Sequence, residues 1–161
     1  MRIGFGYDVH PLVRDRKLVL GGVELAYERG LAGHSDADVL IHAIIDALLG
    51  AAALGDIGTH FPPSDPAYKD VSSIFLLQQV AGALRDGGWR VGNIDATVVA
   101  QRPKLAPYIS DMRQRISEAL GIDKGRVSVK ATTSEGLGFA GREEGIAAYA
   151  VAALEEGDED A

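Results

Sequence analysis

Cysteine is absent from this 161-residue chain, which excludes disulfide bonds and thiolate chemistry. Any metal ion must therefore be held by histidine, aspartate or glutamate side chains. The chain also lacks an apolar run long enough to cross a membrane, and its first residues, MRIGFGYDVH, lack the apolar core of a signal peptide. We therefore expect a cytoplasmic protein.

Basic charge is scarce as well. The chain has 16 lysines and arginines against 23 aspartates and glutamates, which gives a net charge of −7. Five of the acids fall in EEGDED, and we expect residues 155–161 to form an acidic, disordered tail. The remaining residues, 1–154, have the length of a single domain and are nearly neutral. Nucleic-acid binding is therefore not expected, because it needs a basic patch.

Hydrophobic patterning predicts a mixture of strands and helices. Strands are predicted at 3–13, in two short pieces of 17–25 broken at Gly21-Gly22, at 90–101 and at 127–132. Helices are predicted from an N-cap at Ser35 to Gly55, along the stripe Ile74, Leu77, Ala81 and Leu84, and from Pro107 to Gly121. Residues 56–70 are predicted as a loop, and GIAAYAVAALEE fits a helix or a strand. Such a mixture indicates an α+β or α/β fold with helices covering a sheet.

The segment GYDVHP places Asp8 and His10 two positions apart within the first predicted strand. Residues i and i+2 of a strand point to the same face, so these two side chains converge. Convergence suits two ligands of one metal ion. It also suits an ordinary surface face, and the pair alone does not decide between the two.

His42 lies inside the first predicted helix, with Asp38 and Asp46 four residues before and after it on one face. One interpretation is an exposed acidic stripe that contains a histidine. The other makes His42 a third metal ligand beside Asp8 and His10, oriented by one of the two carboxylates. Asp46 is the preferred candidate for that role, because Asp38 in the first turn already complements the helix dipole.

Three further stretches combine polar side chains with backbone N–H groups. His34 and Ser35 precede the first helix, where anions are favoured, although Ser35 is equally a plain helix cap. Residues 55–66, GDIGTHFPPSDP, are either a substrate-binding turn or ordinary turn chemistry. Residues 130–145, KATTSEGLGFAGREEG, are not a P-loop because the lysine precedes the threonines. They are a phosphate-binding loop in which Glu135 binds a hard cation, or simply a glycine-rich loop.

Five motifs together, DVH, HSDADVLIHAIIDALLGAAALGDIG, FPPSDP, AQRPKL and VKATTSEGLGFAGREEG, resemble the 2-C-methyl-D-erythritol 2,4-cyclodiphosphate synthase family over residues 1–154. The resemblance implies a phosphorus–oxygen lyase of non-mevalonate isoprenoid (terpenoid) biosynthesis. This enzyme converts 4-diphosphocytidyl-2-C-methyl-D-erythritol 2-phosphate to the 2,4-cyclodiphosphate and CMP. It also implies an α+β fold with helices on one side of a mixed β-sheet, a final strand, and a homotrimer whose sheets face a threefold axis and whose subunits share active sites.

The resemblance also implies a role for each matching position. Asp8, His10 and His42 match zinc ligands, and Glu135 matches a ligand of Mg²⁺ or Mn²⁺ on the substrate diphosphate. His34 and Thr133 match hydrogen-bond donors to the transition state. The other positions expected to bind substrate, besides the metal ligands, are Val9, Ser35, Asp56, Ile57, Gly58, Phe61, Asp65, Ala100, Gln101, Arg102, Pro103, Lys104, Leu105, Ala106, Thr132, Ser134, Phe139 and Arg142.

The sequence departs from the family at one pair of residues. Pro63-Ser64 stands where the family has Asp-Thr, so position 63 lacks the acid. In the implied trimer, three copies of Arg142 near Phe139 would form an anion site at the mouth of an axial channel, which suits an isoprenoid diphosphate.

Two other functions are alternatives to the synthase: a metal-dependent phosphohydrolase and a trimeric cytidine-nucleotide-binding module. The second leaves Asp8, His10 and His42 without a role.

Overall fold

The computed structural model describes residues 1–157, and residues 158–161 lie outside the described part. Its strands are β1 (Arg2–Arg14), β2 (Leu18–Leu20), β3 (Val23–Leu25), β4 (Arg29–Leu31), β5 (Trp89–Val99), β6 (Val127–Thr132) and β7 (Gly145–Glu156). Its helices are α1 (Val39–Ala51), α2 (Ile57–His60), α3 (Ser73–Asp86), α4 (Ile109–Leu120) and α5 (Gly138–Gly141). Within residues 1–157, no helix has the length and hydrophobicity needed to span a membrane.

Five of the strands form one mixed sheet in the order β4-β1-β7-β5-β6. Strands β5 and β6 are parallel, whereas the other neighbouring pairs are antiparallel. β2 and β3 form a separate hairpin. The predicted α+β class is therefore confirmed, and the last segment is a strand, as the family resemblance implied.

Helix α1 packs directly across β1 because β1 carries glycine where the two elements meet. A Cβ added at Gly6 would lie 1.9 Å from the carbonyl oxygen of Ala43, and one at Gly4 would lie 1.9 Å from that of Ala47. Nearly every residue of α1 is buried, since α3 and the sheet cover it from different sides. The strand and helix that will form the site are thus held in close contact.

The opposite side of the sheet is apolar and exposed, and we call it the uncovered face. Its large side chains are Ile3, Phe5, Tyr7 and Val9 of β1, with Tyr149 and Val151 of β7. Ile3 and Phe5 are 66% and 63% exposed, and the rings of Tyr7 and Tyr149 are 5.0 Å apart. This face is too apolar and too continuous to be typical of an isolated monomer.

Helix α1 is shorter than the predicted span from Ser35 to Gly55. It starts after Asp38, not Ser35, because Ala37 has a φ of 56° that a right-handed helix does not allow. It ends at Ala51, because Ala53 takes the left-handed conformation and the N–H of Leu54 closes back on Leu49. The predicted N-cap at Ser35 and the predicted end at Gly55 are therefore wrong.

Short elements and the end of the sheet also differ from the predictions. Strand β4 was not predicted, and the predicted loop of residues 56–70 contains α2 and a 3₁₀ turn at Pro66–Tyr68. Glu155 and Glu156 belong to β7 and not to a disordered tail, because Glu155 pairs across strands with Arg90. The rest of the predicted tail, residues 158–161, lies outside the described residues.

Candidate active site

Asp8 and His10 project from the same face of β1 toward α1, and His42 projects from α1 to meet them. Asp8 Oδ2 lies 2.8 Å from His10 Nε2 and 3.1 Å from His42 Nδ1, and the two imidazole nitrogens are 3.2 Å apart. Across residues 1–157, this is the one group of three potential ligands whose donor atoms converge, all within 4.8 Å. The predicted convergence of Asp8 and His10 is confirmed. We call the three residues the metal centre.

Protonation in the metal centre is governed by its burial and its mixed charges. Burial favours neutral Asp8, but hydrogen bonds from His10 and His42 outweigh it and hold the pKa of Asp8 far below its usual range. Burial likewise favours neutral His42, but Asp8 outweighs it and raises the pKa of that imidazole. In the metal-free protein, Asp8 therefore favours its anionic form and stabilises the protonated form of His42.

The spacing of the donor atoms fits a divalent metal ion. A four-coordinate zinc with bonds of about 2.0–2.1 Å would place neighbouring ligand atoms roughly 3.3 Å apart. The separations among Asp8, His10 and His42 are 2.8, 3.1 and 3.2 Å, so small adjustments suffice. Three protein ligands beside a cavity leave a coordination position for a substrate atom, as in catalytic zinc sites.

The second ring nitrogen of His42 is oriented by serines. His42 Nε2 lies 2.8 Å from Ser73 Oγ, at the start of α3, and 3.1 Å from Ser35 Oγ. The Ser73 hydroxyl in turn donates to the carboxylate of Asp36. Neither Asp38 nor Asp46 fills this role, so the prediction that one of them orients His42 is wrong.

The carboxylates of Asp38 and Asp46 instead accept hydrogen bonds from backbone N–H groups. The carboxylate of Asp38 is fully buried and accepts hydrogen bonds from the backbone N–H groups of Gly21, Gly22 and Ile41. Its burial, with a smaller contribution from a neighbouring acid, raises its pKa to about 6. Asp46 Oδ1 accepts from the N–H of Ile57 at 2.8 Å, which fixes the start of α2. The predicted exposed acidic stripe is excluded, since Asp38 and His42 are both buried.

A cavity of about 230 Å³ opens beside the metal centre, and we call it the metal cavity. Besides the three ligands, it is lined by His34, Ser35, Ile57, Gly58, Phe61, Pro63, Tyr68 and Leu76. His34 Nε2 lies 3.1 Å from the carbonyl oxygen of Asp65, which fixes its ring at the rim. Pro63, the departure from the family, lies in this lining. Tyr68 and Leu76 were not identified from the sequence, because an isolated apolar residue gives no signal of a site.

Two predicted substrate-binding residues, Val9 and Asp56, lie outside the lining of the metal cavity, and a third, Ser35, lines it from a buried position. Val9 points to the uncovered face, since strand alternation turns it away from Asp8 and His10. Ser35 is buried and its Oγ accepts from the N–H of Ala37. Asp56 is exposed and caps α2 by accepting from Thr59. A contact between substrate and any of these residues stays a prediction.

A second cavity, of about 390 Å³, lies at the β6 edge of the sheet, and we call it the edge cavity. It is lined by Ala100, Gln101, Pro103, Lys104, Leu105, Ala106, Ile109, Ala131, Thr132 and Thr133. Leu105 is buried and anchors the segment, while the side chain of Gln101 accepts from the N–H of Gly136 at 3.2 Å. The predicted 100–106 segment is therefore brought together with the two threonines. Arg102 is exposed and outside the lining.

The glycine-rich loop after β6 adjoins the edge cavity, since Thr133 lines the cavity and the N–H of Gly136 donates to Gln101. The N–H of Glu135 donates to Thr133 Oγ1, and the Ser134 hydroxyl donates to the carbonyl of Leu137, so this loop is internally bonded. Glu135 is exposed with a φ of 55°. Further along, Phe139 and Arg142 precede β7, and Arg142 pairs with Glu144 at 2.9 Å.

The metal cavity and the edge cavity are distinct within residues 1–157. They share no lining residue. Strands β1 and β6 are separated by β7 and β5, which amounts to three inter-strand spacings or roughly 14 Å. A site that uses both sets of residues at short range therefore needs a further copy of the chain or a long substrate.

Comparison with known proteins shows one family along nearly the whole chain. The model of the YgbB family matches residues 1–155. A 2-C-methyl-D-erythritol 2,4-cyclodiphosphate synthase from Syntrophomonas wolfei is 65% identical over 156 residues, covering 97% of this chain and 99% of that protein. A synthase of the same name from Moorella thermoacetica is 66% identical over 154 residues, covering 96% of this chain and 94% of that protein.

Solved structures show the same fold. A bifunctional IspDF from Campylobacter jejuni matches with a TM-score of 0.94 at 44% identity, over 98% of this chain and 42% of that longer chain. A CDP complex of IspF from Plasmodium falciparum matches with a TM-score of 0.85 at 34% identity, over 98% of this chain and 97% of the other. The chain therefore belongs to the YgbB family, and the resemblance inferred from five motifs is confirmed, because its curated relatives are named 2-C-methyl-D-erythritol 2,4-cyclodiphosphate synthases.

Proposed function

We propose that this chain catalyses the conversion of 4-diphosphocytidyl-2-C-methyl-D-erythritol 2-phosphate to 2-C-methyl-D-erythritol 2,4-cyclodiphosphate and CMP, in isoprenoid precursor biosynthesis. The observation that carries the proposal is the three-ligand metal centre beside the metal cavity, in a chain 65% identical to a synthase of that product. A cytoplasmic location stays a prediction.

The reaction is an intramolecular displacement at phosphorus. An oxygen of the 2-phosphate forms a bond to the β-phosphorus, and the bond from that phosphorus to the CMP oxygen breaks with its electron pair. The nucleophile is already ionised, so no general base is needed. The protein must fold one flexible molecule into an in-line arrangement and offset the repulsion among its phosphates.

The metal cavity supplies the means for both tasks. Asp8, His10 and His42 would hold a divalent metal ion, with zinc as our assignment, which stabilises phosphate charge as a Lewis acid. We assign His34, which lines the metal cavity, as a donor to a phosphate oxygen in the transition state. Asp56 and Gly58, at the opening of α2, are assigned to the hydroxyl groups of the methylerythritol.

The edge cavity is assigned to the cytidine and the diphosphate. Its 100–106 segment contributes apolar side chains, among them the buried Ala100 and Leu105, which suit a flat pyrimidine. We assign Thr132 and Thr133 to the phosphates, and Glu135 to Mg²⁺ or Mn²⁺ shared with the diphosphate. A relative from Plasmodium falciparum was solved as a CDP complex, which supports this nucleotide choice.

A homotrimer would unite the two cavities. The uncovered face is an apolar surface available for burial between copies, and the threefold arrangement would place the metal cavity of one subunit beside the edge cavity of its neighbour. Near the axis, Arg142 and Phe139 would offer a cation and an aromatic ring to an isoprenoid diphosphate. Glu144 already neutralises Arg142 in the single chain, so such a ligand must compete with that pair.

The proposal is tested by incubating the protein with substrate, zinc and magnesium and following the products by phosphorus NMR. CMP and the cyclic diphosphate should appear together, and His42→Ala should remove both products and most of the bound zinc. His60→Ala is the matched control, since His60 is exposed and outside the metal centre. An opened phosphate product would identify a phosphohydrolase, and nucleotide binding without turnover would identify a binding module.

A further inference from the structure

His42 turns one ring nitrogen toward Asp8 and the other toward the start of α3, where Ser73 and Asp36 lie behind it. We propose that Ser73 and Asp36 are a positioning pair, which keeps the proton of His42 on Nε2 and directs the lone pair of Nδ1 into the metal centre. This inference rests on the metal site of the proposed function. It concerns two residues that no sequence pattern connected with His42.

The directions of the hydrogen bonds that join His42, Ser73 and Asp36 follow from which of these groups carries a proton. The carboxylate of Asp36 only accepts, so the hydroxyl of Ser73 must donate its single proton to it. Ser73 Oγ can then only accept from the ring of His42, at 2.8 Å. The proton of neutral His42 must therefore sit on Nε2, which leaves Nδ1 as the metal-binding nitrogen.

The pair is rigid because the backbone fixes both members. Asp36 accepts from the N–H of Ser73 at 3.0 Å and from the N–H of Asp38 at 3.1 Å, and its own N–H donates to the carbonyl of Val71. Ser73 is completely buried, so water does not compete for its hydroxyl. The chain thus ties the segment before α1 to the first turn of α3, with the ring of His42 held between them.

Ser35 is a weaker partner for the same nitrogen. Its Oγ is 3.1 Å from His42 Nε2 and already accepts from the N–H of Ala37. No carboxylate lies behind Ser35 among its hydrogen-bond partners in residues 1–157, so nothing comparable polarises its hydroxyl. Ser73 is hydrogen-bonded to the Asp36 carboxylate, so it is the partner that makes the electron pair of His42 Nδ1 a better ligand for the metal ion.

The test measures zinc affinity and the state of the His42 ring. Ser73→Ala should weaken zinc binding about 10–100-fold in a competition titration with a chromophoric chelator. In the zinc-loaded wild-type protein, proton–nitrogen NMR should show a protected Nε2–H resonance of His42, and Ser73→Ala should lose it. A merely structural contribution of Ser73 to folding would not remove that resonance. Ser72→Ala is the matched control, because Ser72 is adjacent, exposed and makes no capping hydrogen bond.

The outcomes separate this inference from the metal site itself. Wild-type zinc affinity and an unchanged Nε2–H resonance in Ser73→Ala would overturn the positioning pair, while loss of zinc in His42→Ala would leave the site standing. A wild-type protein that took up no zinc would overturn both. If Ser73→Ala did not fold, Asp36→Asn would decide. It removes the charge and keeps one of the two oxygens that accept from the backbone N–H groups of Asp38 and Ser73, and its zinc affinity should fall at least several-fold.

Discussion

Asp8 contacts two imidazoles at once, and this arrangement couples the charges of the metal centre. The sequence predicted Asp8 and His10 together because a strand repeats every two residues. The sequence did not predict which residue orients His42. Asp38 and Asp46 were considered because residues four apart are neighbours on a helix surface, but α1 is buried on almost every side and other elements contact it. The true partner, Ser73, is 31 residues away, and only the packing of α3 brings it near.

Zinc affinity should depend on pH through His42. Asp8 raises the pKa of His42 in the metal-free protein, so a metal ion must displace a proton that persists to higher pH than on a free imidazole. Through this one proton, affinity should fall by up to about tenfold for each pH unit below that raised pKa, and should level off above it. Asp8 adds no dependence near neutral pH, because its pKa is far below its usual range.

Competition titrations across roughly pH 5 to 8 would measure this dependence. Calorimetry in buffers with different ionisation enthalpies would count the released protons. His60→Ala should keep the same profile, since His60 lies outside the metal centre. A zinc affinity that did not change with pH would show that His42 is not a ligand.

Asp38 should matter for stability and not for the orientation of His42. Asp38→Ala leaves the N–H groups of Gly21, Gly22 and Ile41 without their acceptor, and should lower the free energy of unfolding by about 3 kcal/mol or more. Urea unfolding of the metal-free protein would measure the loss. Asp86→Ala, at an exposed position of α3, should change stability by less than about 0.5 kcal/mol. Equal effects of the two substitutions would contradict the structural role of Asp38.

At the scale of elements, the packing of α1 on β1 determines where the site forms. The sequence predicted both elements, but their close contact depends on Gly4 and Gly6, and a pattern of single glycines does not reveal which element approaches them. The ends of α1 were predicted wrongly for a related reason. Ala37 and Ala53 adopt left-handed φ values, which alanine rarely does, so composition gave no signal of either boundary.

Gly6→Ala should destabilise the protein severely, because its Cβ would overlap the backbone of α1, which cannot move aside as a side chain can. We expect a loss of about 3 kcal/mol or more in the free energy of unfolding. Gly50→Ala is the matched comparison: this glycine lies in α1 with no atom within 4 Å of an added Cβ, and helix propensity predicts a gain of about 0.5–1 kcal/mol. Thermal unfolding of both variants would test the pair, and a tolerated Gly6→Ala would contradict this close packing.

At the scale of the whole molecule, the uncovered face is the surface that the proposed homotrimer would bury. Light scattering coupled to gel filtration should give the mass of a trimer for the wild-type protein. Phe5→Asp should shift it toward the monomer, because a charge would then be buried among apolar side chains. Phe75→Asp is the control, since Phe75 is 45% exposed on α3 and away from the sheet. A monomeric wild type would remove the proposed shared site.

The separation of the two cavities has a genetic consequence. If each working site takes its metal cavity from one subunit and its edge cavity from the next, two different loss-of-function alleles should complement each other. In mixed trimers of His42→Ala and Thr133→Ala chains, about one site in four would combine two intact halves. A cell that carries both alleles would recover growth that neither allele supports alone. Purified, remixed subunits should regain roughly a quarter of wild-type turnover, provided that Thr133→Ala is itself inactive.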